Sequence, residues 1–402
     1  MKGNLTLKRN DLLTPEGTRD LLFEECAAKR AVSERITRLF ESYGYSEVIT
    51  PGLEFYDVFN GKVRYFPQET MYKLVDGKNR LMVLRPDNTM PIARLAATRL
   101  KKEELPLKLF YNQNIFMVNP KDSGRDDEIA QCGIEILGGE RGASALEALV
   151  LASKALAACD EDYRLEIGDS GIFAELIAGR GYDDLTVDKL RHAIDTKELP
   201  ALDHYYEKHT DDDGAAFKAL PRLFGGFEVF DEARKYLHGE VLEEKLDKLK
   251  KLCEKLGELI PKEKIRVDLG LVHKKDYYTG IIFRGFVEGY GQPVLSGGRY
   301  DKLLGEFGRD ADAVGFAVNV EAAAKVLLKK DRARFIKSPD VLVFGEDNIA
   351  VMKHCEELIN EEKTVYRFLG ECPKCAVKYA AAHGIKRVDI VDKDGKITSE
   401  EV

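Results

Sequence analysis

Apolar side chains recur every three or four positions through residues 19 to 43, "RDLLFEECAAKRAVSERITRLFESY", the spacing that gives a long helix one buried face. Gly44 is placed to end it. The segment "YSEVITPGLEF" then reads as strand, interrupted by Pro51, which belongs on an edge or at a bend. "YKLVDGKNRLMVLRP" predicts a hairpin turning at Asp76 and Gly77. "DNTMPIARLAATRL" predicts a helix, with Asp87 to Thr89 available as caps and Pro91 in the first turn. Residues 116 to 139, "FMVNPKDSGRDDEIAQCGIEILGG", read as a strand, a long polar loop and a return strand that alternates apolar and polar side chains.

Further on, "ASALEALVLASKALAAC" predicts a strongly apolar, buried helix that stops short of membrane length. Residues from about 170 to 262 become charged and helix-periodic. Their stretch "EEKLDKLKKLCEKLGEL" alternates its charges in sign, so the region reads as a solvated helical insertion rather than a nucleic-acid arm. Strand signals resume at "KIRVDLGLV" and continue through "DYYTGIIFRGFV", "QPVLSGGRYDKLLGEF" and "AVGFAVNVEAAAKVLL". "RARFIKSPD" reads as a linker. Beyond it, residues 338 to 402 alternate strand, helix, strand, helix and strand, which predicts a small α/β domain with a parallel sheet.

At 402 residues, 44% hydrophobic and 33% charged, the chain has the composition of an ordinary globular protein. Its formal charge of −8 argues against general nucleic-acid binding, which needs clustered cations. No apolar run approaches the roughly 20 residues of a spanning helix, and the first residues lack an apolar signal core, so a cytoplasmic location is expected. The seven cysteines are scattered from Cys26 to Cys375 and read as reduced thiols. Cys372 and Cys375, in "ECPKCA", have the spacing of a redox turn or half a zinc site. No second ligand pair follows, so they are taken as incidental, and neither metal nor cofactor is expected.

Three glycine-linked or strand-ending stretches are candidates for chemistry. "DYYTGIIF" sets two aromatic rings beside an acid before a strand, "SGGRYD" is read as joining a strand to a helix through paired glycines, and "LRPDNT" ends a strand with a cation and an acid. The loop from Asn119 to Glu128 sets Lys121 and Arg125 against Asp122, Asp126, Asp127 and Glu128, a sum of 2 − 4 = −2. That is a poor surface for a triphosphate.

Taken in order, "EGTRDLL", "GYSEVITP", "LRPDNT", "FYNQNIFMVNPKDSGRDDEIAQCGIEILG", "DLGLVHKKDYYTGIIF", "SGGRYDKLLGEFG" and "GFAVNVE" resemble the successive motifs of the histidyl-tRNA synthetase catalytic domain, over most of residues 12 to 328. The resemblance implies an α+β fold: a class II aminoacyl-tRNA synthetase-like antiparallel sheet flanked by helices, spanning residues 1 to 330, dimeric through the region around Pro51. The last 65 or so residues resemble a shortened anticodon-binding domain.

The departures carry the functional reading. Working synthetases of that family have an arginine after the phenylalanine of the long hairpin, another three positions before the Asp-Tyr-Tyr stretch, and a third after the glutamate of the last motif. Met117, His273 and Ala322 stand at those positions here. Adenylate formation is stabilised by positioned positive charge, and each lost donor typically costs on the order of 100- to 1000-fold. His273 does not restore the charge, since an ordinary imidazole is mostly neutral at pH 7. On the amino-acid side, Asp87 (in place of the family's glutamate), Arg125, Gln131, Glu135, Tyr277 and Tyr278 match positions that surround histidine.

A synthetase-like body without the ATP arginines is similar to the regulatory subunits of ATP phosphoribosyltransferase. That resemblance implies a chain with no chemistry of its own, partnered with a short-form catalytic subunit that opens histidine biosynthesis, and a feedback response to histidine. Two other classes stay open: an active histidyl-tRNA synthetase with displaced cations, and a paralogue that binds tRNA or an amino acid.

Overall fold

The computed structural model describes residues 10–61, 66–120, 125–208, 214–272, 278–330 and 335–402. Chain contacts divide it into two compact units, Met1–Arg332 and Ala333–Val402.

The first unit begins with α1 (Glu24–Ser42), whose Ala28, Val32, Ile36 and Phe40 form the buried stripe that the periodicity requires. Gly44 follows with φ +78°, a left-handed conformation that glycine adopts at low cost. The strand around Pro51 is split. β1 (Ser46–Glu47) runs parallel to the main sheet's edge, and β2 (Leu53–Phe55) joins a small sheet with β3 (Lys73–Val75) and β4 (Leu81–Leu84). β3 and β4 form the hairpin around Asp76, whose Oδ1 accepts the Lys78 and Arg80 amides. α2 (Thr89–Ala97) carries Pro91 in its first turn and buries Met90, Ile92, Ala93 and Ala96.

The main sheet is built on the ten-residue strands β5 (Leu107–Phe116) and β6 (Glu128–Leu137), paired antiparallel along their full length. α3 (Arg141–Cys159) follows. At 19 residues it is long and apolar enough to cross a bilayer, which corrects the expectation that it falls short. In this fold it is a core helix: Ala148, Leu149, Leu151, Ala152, Ala155 and Leu156 are buried, and it packs on the main sheet and on α1.

β7 (Tyr163–Asp169) leads into the charged region: α4 (Ser170–Ile177), α5 (Asp184–Asp195), α6 (Leu199–Lys208), α7 (Gly214–Ala219), the short strand β8 (Phe224–Gly225), α8 (Val229–Ala233) and α9 (Glu240–Leu256). It is less of a solvated appendage than its charges suggest. α9 buries Leu242, Leu246, Leu249, Cys253 and Leu256 on one face against α3 and α4, and β8 pairs with β9 (Ile265–Asp268), so the region supplies the sheet's last strand.

β10 (Ile281–Val287), β11 (Leu295–Arg299) and β12 (Ala313–Asn319) complete the sheet, in the order β1-β5-β6-β12-β11-β10-β7-β9-β8, and α10 (Val320–Lys330) lies against α1. Of these neighbours, β1 with β5 and β7 with β9 run parallel, and the rest are antiparallel. One sequence expectation fails here. Gly297 and Gly298 do not join a strand to a helix but sit inside β11, where a methyl group would meet Phe283 and Phe316, or the Tyr278 ring. The stretch after β11 turns into a short 3₁₀ helix, Gly305–Phe307.

The second unit runs β13 (Val341–Gly345), α11 (Asn348–Asn360), β14 (Val365–Arg367), α12 (Pro373–His383), β15 (Arg387–Val391) and β16 (Ile397–Glu401). β14, β13 and β15 are parallel. β16, which the sequence pattern did not suggest, returns antiparallel beside β15 through a turn in which Asp392 Oδ1 accepts the Lys396 amide.

Candidate functional site

Strand alternation puts Gln131, Gly133 and Glu135 of β6 on one face of the main sheet, with Gln113 and Tyr111 of β5 directly opposite Gln131 and Gly133. α2 enters over this face. Asp87 is buried, and one of its carboxylate oxygens accepts the Met90 amide at 3.1 Å, holding the helix start in place. Next to it, the Asn88 Nδ2 donates to Gln131 Oε1 at 3.2 Å, while the Asn88 Oδ1, buried, has no hydrogen-bond partner among the described residues. Thr89 Oγ1 donates to Glu135 Oε1 at 2.8 Å.

Glu135, 1% exposed, also accepts a bond from the Tyr300 hydroxyl. Room for its carboxylate comes from β12, where Gly315 lies opposite Glu135 and a side chain would collide with it. One strand further, Gly298 lies opposite Gly315 and the Tyr278 ring rests on it. Asp87, Gln131, Glu135 and Tyr278 are therefore gathered about the start of α2. They form a set of carboxylates, amides and phenols that can read the two nitrogens of an imidazole or an ammonium group.

Arg125 is exposed in the loop, with its Nη2 donating to Gln292 Oε1 at 3.3 Å. Tyr277 and His273 lie outside the described residues. Met117 is half-buried and packs against the cluster containing Phe59, Met90 and Tyr300, with its amide donating to the Asp127 carbonyl at 2.8 Å. Ala322, in the first turn of α10, is buried, and its amide donates to Asn319 Oδ1 at 3.0 Å.

The long hairpin's loop is less negative than a residue count implies. Asp126 pairs with Lys325 at 3.0 Å and with Arg19 at 3.7 Å. Asp127 is buried, accepting from Tyr72 at 2.5 Å and from the Asn119 amide at 3.0 Å, and Glu128 accepts from Asn114 at 2.6 Å. The bond to Asp127, with burial, pushes the Tyr72 phenol up to about 12. Asp126 thus fastens the loop to the opening segment and to α10, while Asp127 holds it to Tyr72 and Glu128 to β5.

Several residues of the site escaped sequence reading. Asn88, Thr89 and Tyr300 sit inside "LRPDNT" and "SGGRYD", stretches whose composition flagged them without saying which side chains matter. The cation of "LRPDNT" is structural. Arg85 is buried and donates to the Asn114 carbonyl at 2.7 Å, the Thr50 carbonyl at 2.6 Å and Gln113 Oε1 at 2.7 Å, tying the Pro51 turn to β5. Burial lowers its pKa from the ordinary guanidinium value, opposed by Glu54 and Tyr111.

A mostly antiparallel sheet with a buried acid at its centre and a helix start reaching over it defines a class II, histidyl-tRNA synthetase-like protein. A family model described as histidyl-tRNA synthetase matches residues 17–323. The histidyl-tRNA synthetase of a Nostoc species superposes with a TM-score of 0.75 over 97% of both chains, at 19% identity, a likeness of fold alone.

Curated relatives narrow the class. An ATP phosphoribosyltransferase regulatory subunit of Clostridium acetobutylicum is 41% identical over 312 residues, 76% of this chain and 77% of that protein. Its counterpart in Ruminiclostridium cellulolyticum is 33% identical over 404 residues, covering 98% of this chain and 96% of the relative. A Bacillus halodurans structure described as an ATP phosphoribosyltransferase regulatory subunit/histidyl-tRNA synthetase superposes with a TM-score of 0.82 at 27% identity, over 95% of this chain and 98% of its own. The chain belongs to the family of ATP phosphoribosyltransferase regulatory subunits.

Proposed function

We propose that this chain is a non-catalytic, cytoplasmic regulatory subunit that a short-form ATP phosphoribosyltransferase catalytic subunit requires for activity and for feedback control by histidine. The observation that carries the reading is the occupation of two ATP-arginine positions by small or apolar side chains: Met117, half-buried, packs against the core and Ala322 is buried at a helix start. Without those cations the pocket keeps the groups suited to an amino acid and lacks two of the charges that would stabilise adenylate formation. Aminoacylation chemistry is lost in this reading, and tRNA is not a partner.

Histidine is the ligand that the surviving polar groups suit. Its imidazole would meet Glu135 and the Gln131 and Asn88 amides, with Tyr278 covering the ring and Asp87 beside the ammonium. Tyr277 and Arg125 are further candidates from the motif match. Leaving such buried polar groups unpaired is costly, so analogues that lack a ring donor should be rejected.

Self-association is supported by the small sheet β2-β4-β3, which turns an apolar face outward. Leu53, Phe55, Leu74, Met82 and Leu84 share that face by register, and Leu53 and Phe55 are 45% and 43% exposed. A two-fold pair through this face, next to Pro51, would cover it.

The test is reconstitution. The catalytic subunit alone should be inactive, should turn over when this chain is added, and should then respond to histidine, while the purified chain shows no histidine-dependent ATP–pyrophosphate exchange. Robust exchange by the chain alone would overturn the reading.

A further inference from the structure

Cys372 and Cys375 are not incidental thiols. They are joined by a disulfide, contrary to the expectation of reduced cysteines throughout, and they occupy the start of α12. Cys372 is the N-cap of that 11-residue helix, and its Sγ accepts the Cys375 amide at 3.1 Å. Pro373 takes the first helical position, where no amide is needed. Ala376 and Ala380 bury the opposite side of α12 against Leu342, Phe344 and Val388, so the pair sits on a rigid element.

Two features separate this pair from the four buried cysteines; Cys26, the fifth free thiol, is half-buried and donates to the Leu21 carbonyl at 3.1 Å. The first is access. α12 follows β14, an edge strand of its sheet, and Cys375 is exposed while Cys372 is half-buried. Cys132, Cys159, Cys253 and Cys355 are buried. The second is thiolate stability. Burial pushes the Cys159 and Cys253 thiols up to about 12, whereas a thiolate at Cys372 would lie at a helix N-terminus with an amide already aimed at its sulfur. Among the described residues, no group of three or more His, Cys, Asp or Glu side chains is placed to hold a metal ion, so the pair is not half of a built zinc site.

We propose that Cys372 and Cys375 form a reversible dithiol–disulfide site in the carboxy-terminal unit, exchanging electrons with soluble thiols or protein dithiols. The accessible sulfur is Cys375, and the better leaving group is Cys372. A donor thiolate attacks Cys375 Sγ, the Cys372–Cys375 bond breaks and Cys372 departs as thiolate. The donor's second thiol, or a second molecule of a monothiol donor such as glutathione, then attacks the donor sulfur of the mixed disulfide and expels Cys375. Two electrons pass from donor to protein, the donor becomes a disulfide, and the two protons of its thiols end on Cys372 and Cys375 or in solvent according to pH.

The experiment uses the full chain and glutathione as the probe. Equilibration in buffers of varied reduced-to-oxidised glutathione ratio, acid quenching, alkylation and mass mapping should show a single transition of the 372–375 pair from disulfide to dithiol. The buried cysteines should remain thiols throughout. In the reduced folded chain, Cys372 should react with iodoacetamide at pH 7 about three- to tenfold faster than the same cysteine in the urea-unfolded chain, because the helix N-terminus and the Cys375 amide favour the thiolate. Cys372→Ser should accumulate a glutathione adduct on Cys375 that the wild type resolves. The proposal is overturned if the pair stays reduced at every ratio, if Cys372 reacts no faster folded than unfolded, or if added zinc binds one per chain and shields both cysteines from alkylation.

Discussion

Gly315 on β12 lies directly opposite Glu135 on β6, and the Glu135 carboxylate, together with the Ile134 carbonyl, fills the space that a methyl group at 315 would need. The most buried acid of the site thus depends on a residue 180 positions away having no side chain.

Gly315→Ala is therefore expected to push Glu135 off Thr89 and Tyr300 or to shift β12. The cost should be about 1–3 kcal/mol, the usual range for overpacking a filled interior. Urea denaturation reads the stability, and calorimetry with histidine reads the pocket. A variant as stable as the parent, with the same heat of binding, would mean that Glu135 is not held where these contacts put it.

Arg85 carries a second expectation. Its guanidinium satisfies two backbone carbonyls and the Gln113 side chain. Arg85→Met keeps much of the stem but removes the guanidinium donors from the Asn114 and Thr50 carbonyls and leaves Gln113 Oε1 with the Thr50 amide, so a loss on the order of 2–3 kcal/mol is expected. Arg85→Lys should recover only part of it, because an ammonium cannot reproduce the planar fork. Denaturation midpoints of the two variants check this, and equal stability of Met and Lys would contradict it.

The second unit should weaken in acid through Asp389. Burial alone would raise this carboxyl, but hydrogen bonds from Arg387, His354 and Ser399 outweigh it and hold it below its ordinary value. A carboxyl lowered in the folded state contributes stability that is complete above its unfolded pKa, about 3.9, and is lost as pH falls through the lower folded value. Amide protection in β13 and β15, measured against the intrinsic exchange rate at each pH, should accordingly fall below about pH 4. In Asp389→Asn that dependence should flatten while protection at pH 7 drops; an unchanged acid profile would assign the effect to other groups.

Phe55→Glu tests the exposed sheet face. A charge placed in the middle of Leu53, Leu74, Met82 and Leu84 should split a dimer built on that face and leave the monomer folded, since Phe55 is already 43% exposed. Sedimentation velocity at micromolar concentration distinguishes the outcomes. A parent chain that sediments as a monomer would remove the dimer, and a variant that remains a dimer would move the interface elsewhere.

The sequence by itself determined whatever depends on near neighbours along the chain. The three- and four-residue spacing of Ala28, Val32, Ile36 and Phe40 specifies α1, the Asp76-Gly77 turn specifies β3 and β4, and the alternation in residues 128 to 137 specifies β6 and which of its side chains share a face. The ordered motifs also exposed Met117 and Ala322 at positions where cations were expected. Tertiary structure alone decided the rest, because it turns on which distant segments share a space. Nothing local tells that the cation of "LRPDNT" will be buried beneath the Pro51 turn rather than face a ligand, or that Gly297 and Gly298 lie inside a strand because Phe283, Phe316 and Tyr278 press on them. The leucines of α9 give the same pattern in a solvated helix and a packed one until α3 and α4 are found against them. The Cys372–Cys375 spacing, too, is ambiguous as sequence. It becomes a disulfide only when the turn into α12 brings the two sulfurs together at the helix N-terminus.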